Sequence, residues 1–239
     1  VSWGNLANFV PETGVFDIPF LFRDHGHARS VLDGPIGQEI LGKFDDVGLH
    51  GLAWGEQGFR HITNNRNPIE TPADVAGLKI RTMENPVHLA AFNAMSAAPT
   101  PMAWPEVISS LQQGVIDGQE NPLSVIVSVK LNEVQEYLTL SGHVYSPAML
   151  LVSRPFWDGL DDSQKAAFEK AAVEAVTEMR SYVDNVETTG VETLKERGMK
   201  VNALSADEKA KFQEAITSAY EGYYETYGQD LVDSVVNFN

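Results

Sequence analysis

Arginine is the residue type in this sequence best suited to chemistry with a small partner. The 239 residues hold eight: Arg23, Arg29, Arg60, Arg66, Arg81, Arg154, Arg180 and Arg197. Three of them fall between Gly58 and Arg81, beside strand-like runs and not on amphipathic helices. Arg81 closes Leu78-Lys79-Ile80-Arg81, an apolar strand pattern. A guanidinium on a strand of an acidic chain is either paired with a buried carboxylate or kept for an anionic ligand, since its planar fork matches a carboxylate with two parallel hydrogen bonds. For Arg66 a surface ion pair is the simpler reading. Two further segments look built for a site. Pro99-Thr100-Pro101-Met102-Ala103-Trp104 sets an aromatic before a helix after a proline-stiffened loop, although a Trp there is more often packing than stacking. Asp117-Gly118-Gln119-Glu120-Asn121-Pro122 gathers polar residues as a loop behind a short strand, Val115-Ile116, and ligands of α/β folds sit at such strand ends.

Catalytic templates are absent: the sequence has no G-x-S-x-G, H-E-x-x-H, G-x-x-x-x-G-K-[ST] or G-x-G-x-x-G. His25 and His27 form an H-x-H with no further ligand-spaced cluster, and His50, His61, His88 and His143 are scattered, so no metal and no cofactor is expected. Asp117 and Glu120 resemble an acid/base pair only in type, because nothing in the sequence pairs either with a nucleophile. Cysteine is absent, which excludes disulfide scaffolds, zinc knuckles and thiol nucleophiles together.

The elements that must hold these residues alternate in kind. Val47–Trp54, Leu78–Met83, Met149–Ser153 and Met199–Leu204 are short strand-length apolar runs; helical patterns lie between them, which predicts an α/β protein with largely parallel sheets. Thr71-Pro72-Ala73-Asp74 reads as a helix start, and Pro105–Gln113 as a short helix stopped by Gly114. A longer helix opens at a capping box, Asp161 with Gln164, and runs to Gly198 with an apolar stripe of Phe168, Ala172, Ala175, Met179, Val183, Val186, Gly190 and Leu194. At 1.5 Å per residue it spans roughly 50 Å, enough to brace two lobes, and a bend is expected near Gly190. Ser205 with Glu208 starts another helix, whose stripe of Phe212, Ile216, Ala219, Tyr220, Tyr223 and Tyr227 reads as packing.

Lys and Arg number 17 against 33 Asp and Glu, a formal charge of −16, which argues against a nucleic-acid partner. No window reaches the ~18 apolar residues of a membrane span, so no stable membrane insertion is expected. Val1 opens the chain with no Met or charged segment before an apolar stretch, which reads as a removed signal peptide or a start in mid-protein.

In combination these segments resemble the solute-binding proteins of tripartite ATP-independent periplasmic (TRAP) transporters, the DctP type. The resemblance rests on Gly4-Asn5-Leu6-Ala7, Phe16 to Asp24, Gly58-Phe59-Arg60, Ala76-Gly77-Leu78-Lys79-Ile80-Arg81, Pro99 to Trp104 and Asp117 to Pro122. It implies an α/β, two-lobed periplasmic-binding-protein-like fold of type II with a long bracing helix. Residues 1–57 and 144–185 would form the first lobe, 58–143 and 199–239 the second, and 186–198 the end of the helix spanning them. The resemblance further implies that Arg81 clamps a solute carboxylate, that Arg60 is a second donor, that Asn121 and Glu120 are polar contacts and that Trp104 walls the pocket; Trp3 and Asn5 join the binding set. The implied partners are a small organic acid (a sugar acid such as a uronate, or a C4-dicarboxylate) and the membrane permease of a TRAP transporter, in the periplasm. Family members usually carry two further strand–helix units before the position of Val1, so the first lobe is expected to be incomplete. An enzyme acting on a sugar acid through Asp117, Glu120 or His143, or a sensory module of the same fold, are the alternative readings.

Overall fold

The computed structural model describes residues 3–238, with side chains from Leu6 onward. After short 3-10 turns at Trp3–Asn8 and Pro11–Asp17 come α1 (His25–Asp33) and α2 (Pro35–Gly42), then the long strand β1 (Leu49–Asn64). β2 (Ile80–Thr82), α3 (Pro86–Ala94), β3 (Thr100–Pro101), α4 (Trp104–Gln112), β4 (Gly118–Pro122) and α5 (Leu123–Ser128) follow. A second long strand, β5 (Tyr137–Ser153), leads through α6 (Arg154–Asp158) into α7 (Asp162–Glu196). β6 (Lys200–Ala203), α8 (Ala206–Ala215), α9 (Thr217–Tyr227) and α10 (Gln229–Val236) complete the described chain.

One sheet runs β3-β2-β4-β1-β5-β6. It is mixed, not largely parallel as the alternation of elements suggested. β2 pairs parallel with β3 and β4, and β5 with β6, but β1 runs antiparallel to both β4 and β5. The apolar runs Val47–Trp54 and Met149–Ser153 mark only one end each of strands 16 and 17 residues long. Their remainders carry Gly55, Glu56, Gly58, Arg60 and His143, whose types hide a strand when its charges are buried within a network. Register shifts between Gly51 and Ala53, Glu56 and Gly58, and Arg60 and Ile62 mark bulges that bend the ribbon. At one of them Gly58 sits at φ +101°, a conformation that favours glycine.

The buried apolar residues form three clusters. The first joins Phe16, Leu32 and Trp54 with Tyr145, Met149 and, from the last helices, Tyr223, Val232 and Val235. The second gathers Ile62, Ile69, Ile80, Phe92, Phe212 and Ile216. The third holds Val107, Leu111, Ile126, Leu138, Val186 and Leu194. α7 connects them. Its capping box forms as predicted, and its stripe buries Ala172, Val176, Val183, Val186, Gly190 and Leu194. Ala175 instead faces solvent, the neighbouring Val176 taking its place. The helix runs unbroken through Gly190, where a Cβ would lie 3.0 Å from Val186 and 3.2 Å from Val127, so this glycine admits the close approach of α5. Further back, Arg180 pairs with Asp33 and Asp184 with Arg29, tying the same helix to α1. The predicted starts at Thr71 and Ser205 both carry capping boxes; the first opens only a 3-10 turn, and the second helix breaks at Ile216 into α8 and α9.

Candidate functional site

The loop predicted at Asp117–Pro122 is, from Gly118, a central strand, buried along its whole length. Glycine is required at its start because a Cβ on Gly118 would lie 2.1 Å from the carbonyl oxygen of Thr63 on β1. Asp117 anchors the turn before it, its carboxylate accepting from the backbone N–H of Lys79 at 2.9 Å and from Arg66 at 3.3 Å. Arg81 on β2 is level with Gln119, and strand alternation therefore sets Arg81 and Asn121 on one face and Glu120 on the other. The two motifs are brought together by strand pairing.

On the Arg81 face lies a cavity of about 450 Å³, lined by Arg81, Trp104, Asn121, Gln57, Glu84 and Val125 among others. Arg81 is 4% exposed. Its Nε and Nη2 donate to the carbonyl oxygen of Met102 at 2.9 and 2.7 Å, and its guanidinium carbon stands 5.6 Å from the centre of the Trp104 ring. Of the five N–H donors of a guanidinium, these two are used on one neutral oxygen, and the parallel pair left is the end-on Nη1/Nη2 pair. No carboxylate among the described residues reaches Arg81 within ion-pair distance, its nearest acidic influences being the charges of Glu120 and Glu84. Burial pulls the Arg81 pKa down to about 10, with Glu120 opposing, so the group remains cationic at neutral pH. Asn121 receives Arg60 Nη2 on Oδ1 at 3.2 Å and gives one Nδ2 hydrogen to Gln119, which fixes its amide at the cavity wall.

Arg60 occupies a different position from the one the resemblance implied. It is 1% exposed and does not line the cavity. Its Nε and Nη2 grip both oxygens of Glu120, Nη2 also reaches the Glu120 carbonyl at 2.7 Å, and Nη1 donates to Ser146 Oγ at 3.2 Å. Glu120, fully buried, is likewise behind the wall and not on it. Around it stand His143 Nε2 at 3.3 Å and His88 Nδ1 at 3.7 Å, and His88 Nε2 lies 2.8 Å from Asp17. Burial pushes Glu120 up, but the Arg60 charge and the two imidazoles hold its carboxyl well below the usual range. Burial pulls His88 down, yet the charges and hydrogen bonds of Asp17 and Glu120 carry it up to about 9. Burial also pushes the Asp17 carboxyl up, against the pull of the His88 charge, and the imidazole faces a carboxylate on either side. The network positions Asn121 and rigidifies the strand beneath the cavity.

A third buried carboxylate, Glu56, escaped sequence reasoning. Arg29 and the Tyr145 hydroxyl both bond it, and Arg29 also holds Asp184 of α7. Nothing in W-G-E-Q-G-F-R distinguishes it from a surface glutamate. Gln57 and Glu84, on the cavity wall, were missed too, although each lies three residues from a singled-out arginine. Trp3 and Asn5 have side chains outside those described. His27 is structural, its ring bonded to the Arg23 N–H and the Val235 carbonyl. Among the described residues no three His, Asp or Glu side chains are arranged to hold a metal ion, and no helix is long and apolar enough to cross a membrane.

A family model for DctP, described as bacterial extracellular solute-binding protein, family 7, matches residues 1–226. The chain belongs to this family. A solute-binding protein of Verminephrobacter eiseniae is 47% identical over 234 residues, which is 98% of this chain and 69% of that protein. A TRAP periplasmic solute-binding protein from Bordetella bronchispeptica, with density interpreted as pantoate, superposes with a TM-score of 0.97 at 56% identity, over 100% of this chain and 78% of that one. A second, from Polaromonas sp. JS666 and bound to D-erythronate, gives 0.96 at 47% identity, over 99% and 77%. The DctP chain described here therefore has the two-lobed, type II binding-protein fold, and it spans about seven-tenths of the length of its curated relative.

Proposed function

We propose that this DctP-family chain binds a small organic acid in the periplasm and delivers it to the membrane permease of a TRAP transporter, Arg81 gripping the carboxylate as two lobes close. One observation carries the reading: a buried guanidinium, its charge unmatched by any ion pair among the described residues, faces a cavity with its end-on N–H pair unspent. Charged hydrogen bonds contribute about 1.5–3 kcal/mol each, so a bidentate clamp supplies much of the roughly −8 kcal/mol of a micromolar complex. Trp104 covers one side of the solute and Asn121 donates to it. Arg60 and Glu120 support this site from behind. The chain acts as a carrier and not as an enzyme: Asp117 is engaged by the Lys79 backbone and Arg66, and Glu120 by Arg60, so neither stands as an acid or base beside the cavity.

The core clusters support a lobe division in which residues 1–57 and 144–185 form one lobe and 58–143 with 199–216 the other, α7 bracing both. Of residues 199–239, assigned to the second lobe from the sequence, 217–238 are better grouped with the first, because Tyr223, Val232 and Val235 share its cluster. A thermal-shift screen of organic acids and matched neutral solutes tests the binding reading. Acids are expected to raise the midpoint by mass action; a screen in which only uncharged solutes do so rejects it.

A further inference from the structure

We propose that a second cavity, separate from the one beside Arg81, binds a small zwitterion of the ω-amino acid class, Lys209 and His61 receiving its carboxylate and Glu187 its ammonium group. This cavity measures about 400 Å³ and, among the described residues, shares no lining residue with the first. Its walls come from α1, β1, β5, α7 and α8, and Phe20, Phe22 and Phe59 make its apolar surface. Four described charged side chains border it, and two of them are spent elsewhere. The Arg23 guanidinium donates to the carbonyl oxygens of Val236 and Phe238, and the Asp24 carboxylate caps α1. Lys209 and Glu187 are the charges left. Among the described residues neither side chain makes a hydrogen bond, Lys209 has no ion pair, and the basic group nearest Glu187 is His25 Nε2 at 4.0 Å.

A buried donor joins them. His61 is 6% exposed, and the Gly142 backbone N–H donates to its Nδ1 at 3.1 Å. A neutral imidazole that accepts at Nδ1 carries its proton on Nε2, and burial keeps this ring neutral. That Nε2–H has no partner among the described residues, a costly state for a buried donor. Lys209 Nζ lies 3.4 Å from where a Cβ on Gly142 would stand, so the ammonium and the imidazole N–H meet at one turn. At the other end, Glu187 Oε1 lies 3.0 Å from where a Cβ on Gly58 would stand. Gly58 and His61 are three residues apart on β1, roughly 10 Å of strand. An α-amino acid carries its two charges too close together to reach both ends, whereas a chain of several methylenes spans them beneath the phenylalanine rings. Burial and the charges of Glu56 and Asp184 raise the Glu187 carboxyl to about 7, and an ammonium group beside it holds it ionised.

Calorimetric titration of the full chain with 5-aminopentanoate tests this, with pentanoate and pentylamine as controls that each keep one charge. The zwitterion is expected to bind at least tenfold more tightly than either control and to shift the Gly142 amide resonance. Glu187→Gln and Lys209→Met, each checked for folding by its amide spectrum, are expected to weaken it at least fivefold, whereas Arg81→Lys leaves it within twofold. No binding by the wild type at millimolar concentration, or pentanoate bound as tightly as the zwitterion, overturns the proposal. Binding unaffected by both Glu187→Gln and Lys209→Met overturns it as well, and a loss confined to Arg81→Lys moves the molecule to the first cavity. None of these outcomes touches the acid-binding reading, which stands on Arg81.

Discussion

Two arginines twenty-one residues apart do opposite work here, and their surroundings decide which does what. Arg60 is saturated internally; Arg81 rests on a single carbonyl oxygen. Arg81→Lys removes the fork, and lysine cannot reproduce two parallel N–H bonds. Affinity for the bound acid is expected to fall at least tenfold, with the melting midpoint within about 3 °C of wild type, since only bonds to Met102 are lost from the fold. Unaltered affinity in calorimetry removes Arg81 from the site. Glu120→Gln acts on the fold instead. It leaves the Arg60 guanidinium buried without its counter-charge, a change that costs about 3–5 kcal/mol. Urea unfolding reads this directly, and a loss under about 1 kcal/mol would show that the pair is not the keystone of β4.

At the scale of elements, the site depends on how closely the central strands approach. β4 lies between β2 and β1, and its first residue is pressed against the Thr63 carbonyl. Gly118→Ala must push the two strands apart, at a cost of about 1–3 kcal/mol or more for an overpacked contact. Gly222, exposed on α9, has nothing within 4 Å of its missing Cβ, and Gly222→Ala is expected to add up to about 1 kcal/mol of helix propensity. Denaturant midpoints moving in opposite directions confirm the distinction; equal shifts would mean that the β1–β4 contact is soft. The same closeness explains why a polar hexapeptide ends up in the middle of a sheet: its side chains are satisfied by Arg60, the imidazoles and Thr63.

For the molecule as a whole, buried titratable groups set a pH window. Raising His88 to about 9 from 6.5 means that its contribution is fully present below about 6.5 and is lost as pH climbs through 9. His61 behaves oppositely. Burial first, then the charges of His143 and Lys209, depress it to about 3, so its contribution is present above 6.5 and disappears as pH falls toward 3. On α7, burial raises Glu187 to about 7, with Glu56 and Asp184 adding to the shift and His25 4.0 Å away. Its protonated form favours the fold, a contribution complete below about 4.5 and gone above 7. Glu187→Gln is therefore expected to raise the midpoint by a few degrees at pH 8 and to leave it unchanged at pH 4.5, as read by scanning calorimetry. A variant indistinguishable from wild type at pH 8 would show that the helix carries no such strain.

What the sequence determined by itself was local. Capping boxes, the long amphipathic stripe and the arginine at the end of an apolar run are dictated by neighbours within a few residues, and all of them are present. Tertiary structure decided the rest. Only strand pairing tells that Arg60 meets Glu120 sixty residues later while Arg81 meets none, and only burial turns Gly118–Pro122 from a turn into a strand. Which of two similar guanidinium groups is left for a ligand depends on where carboxylates lie in space, and residue spacing along the chain does not carry that information.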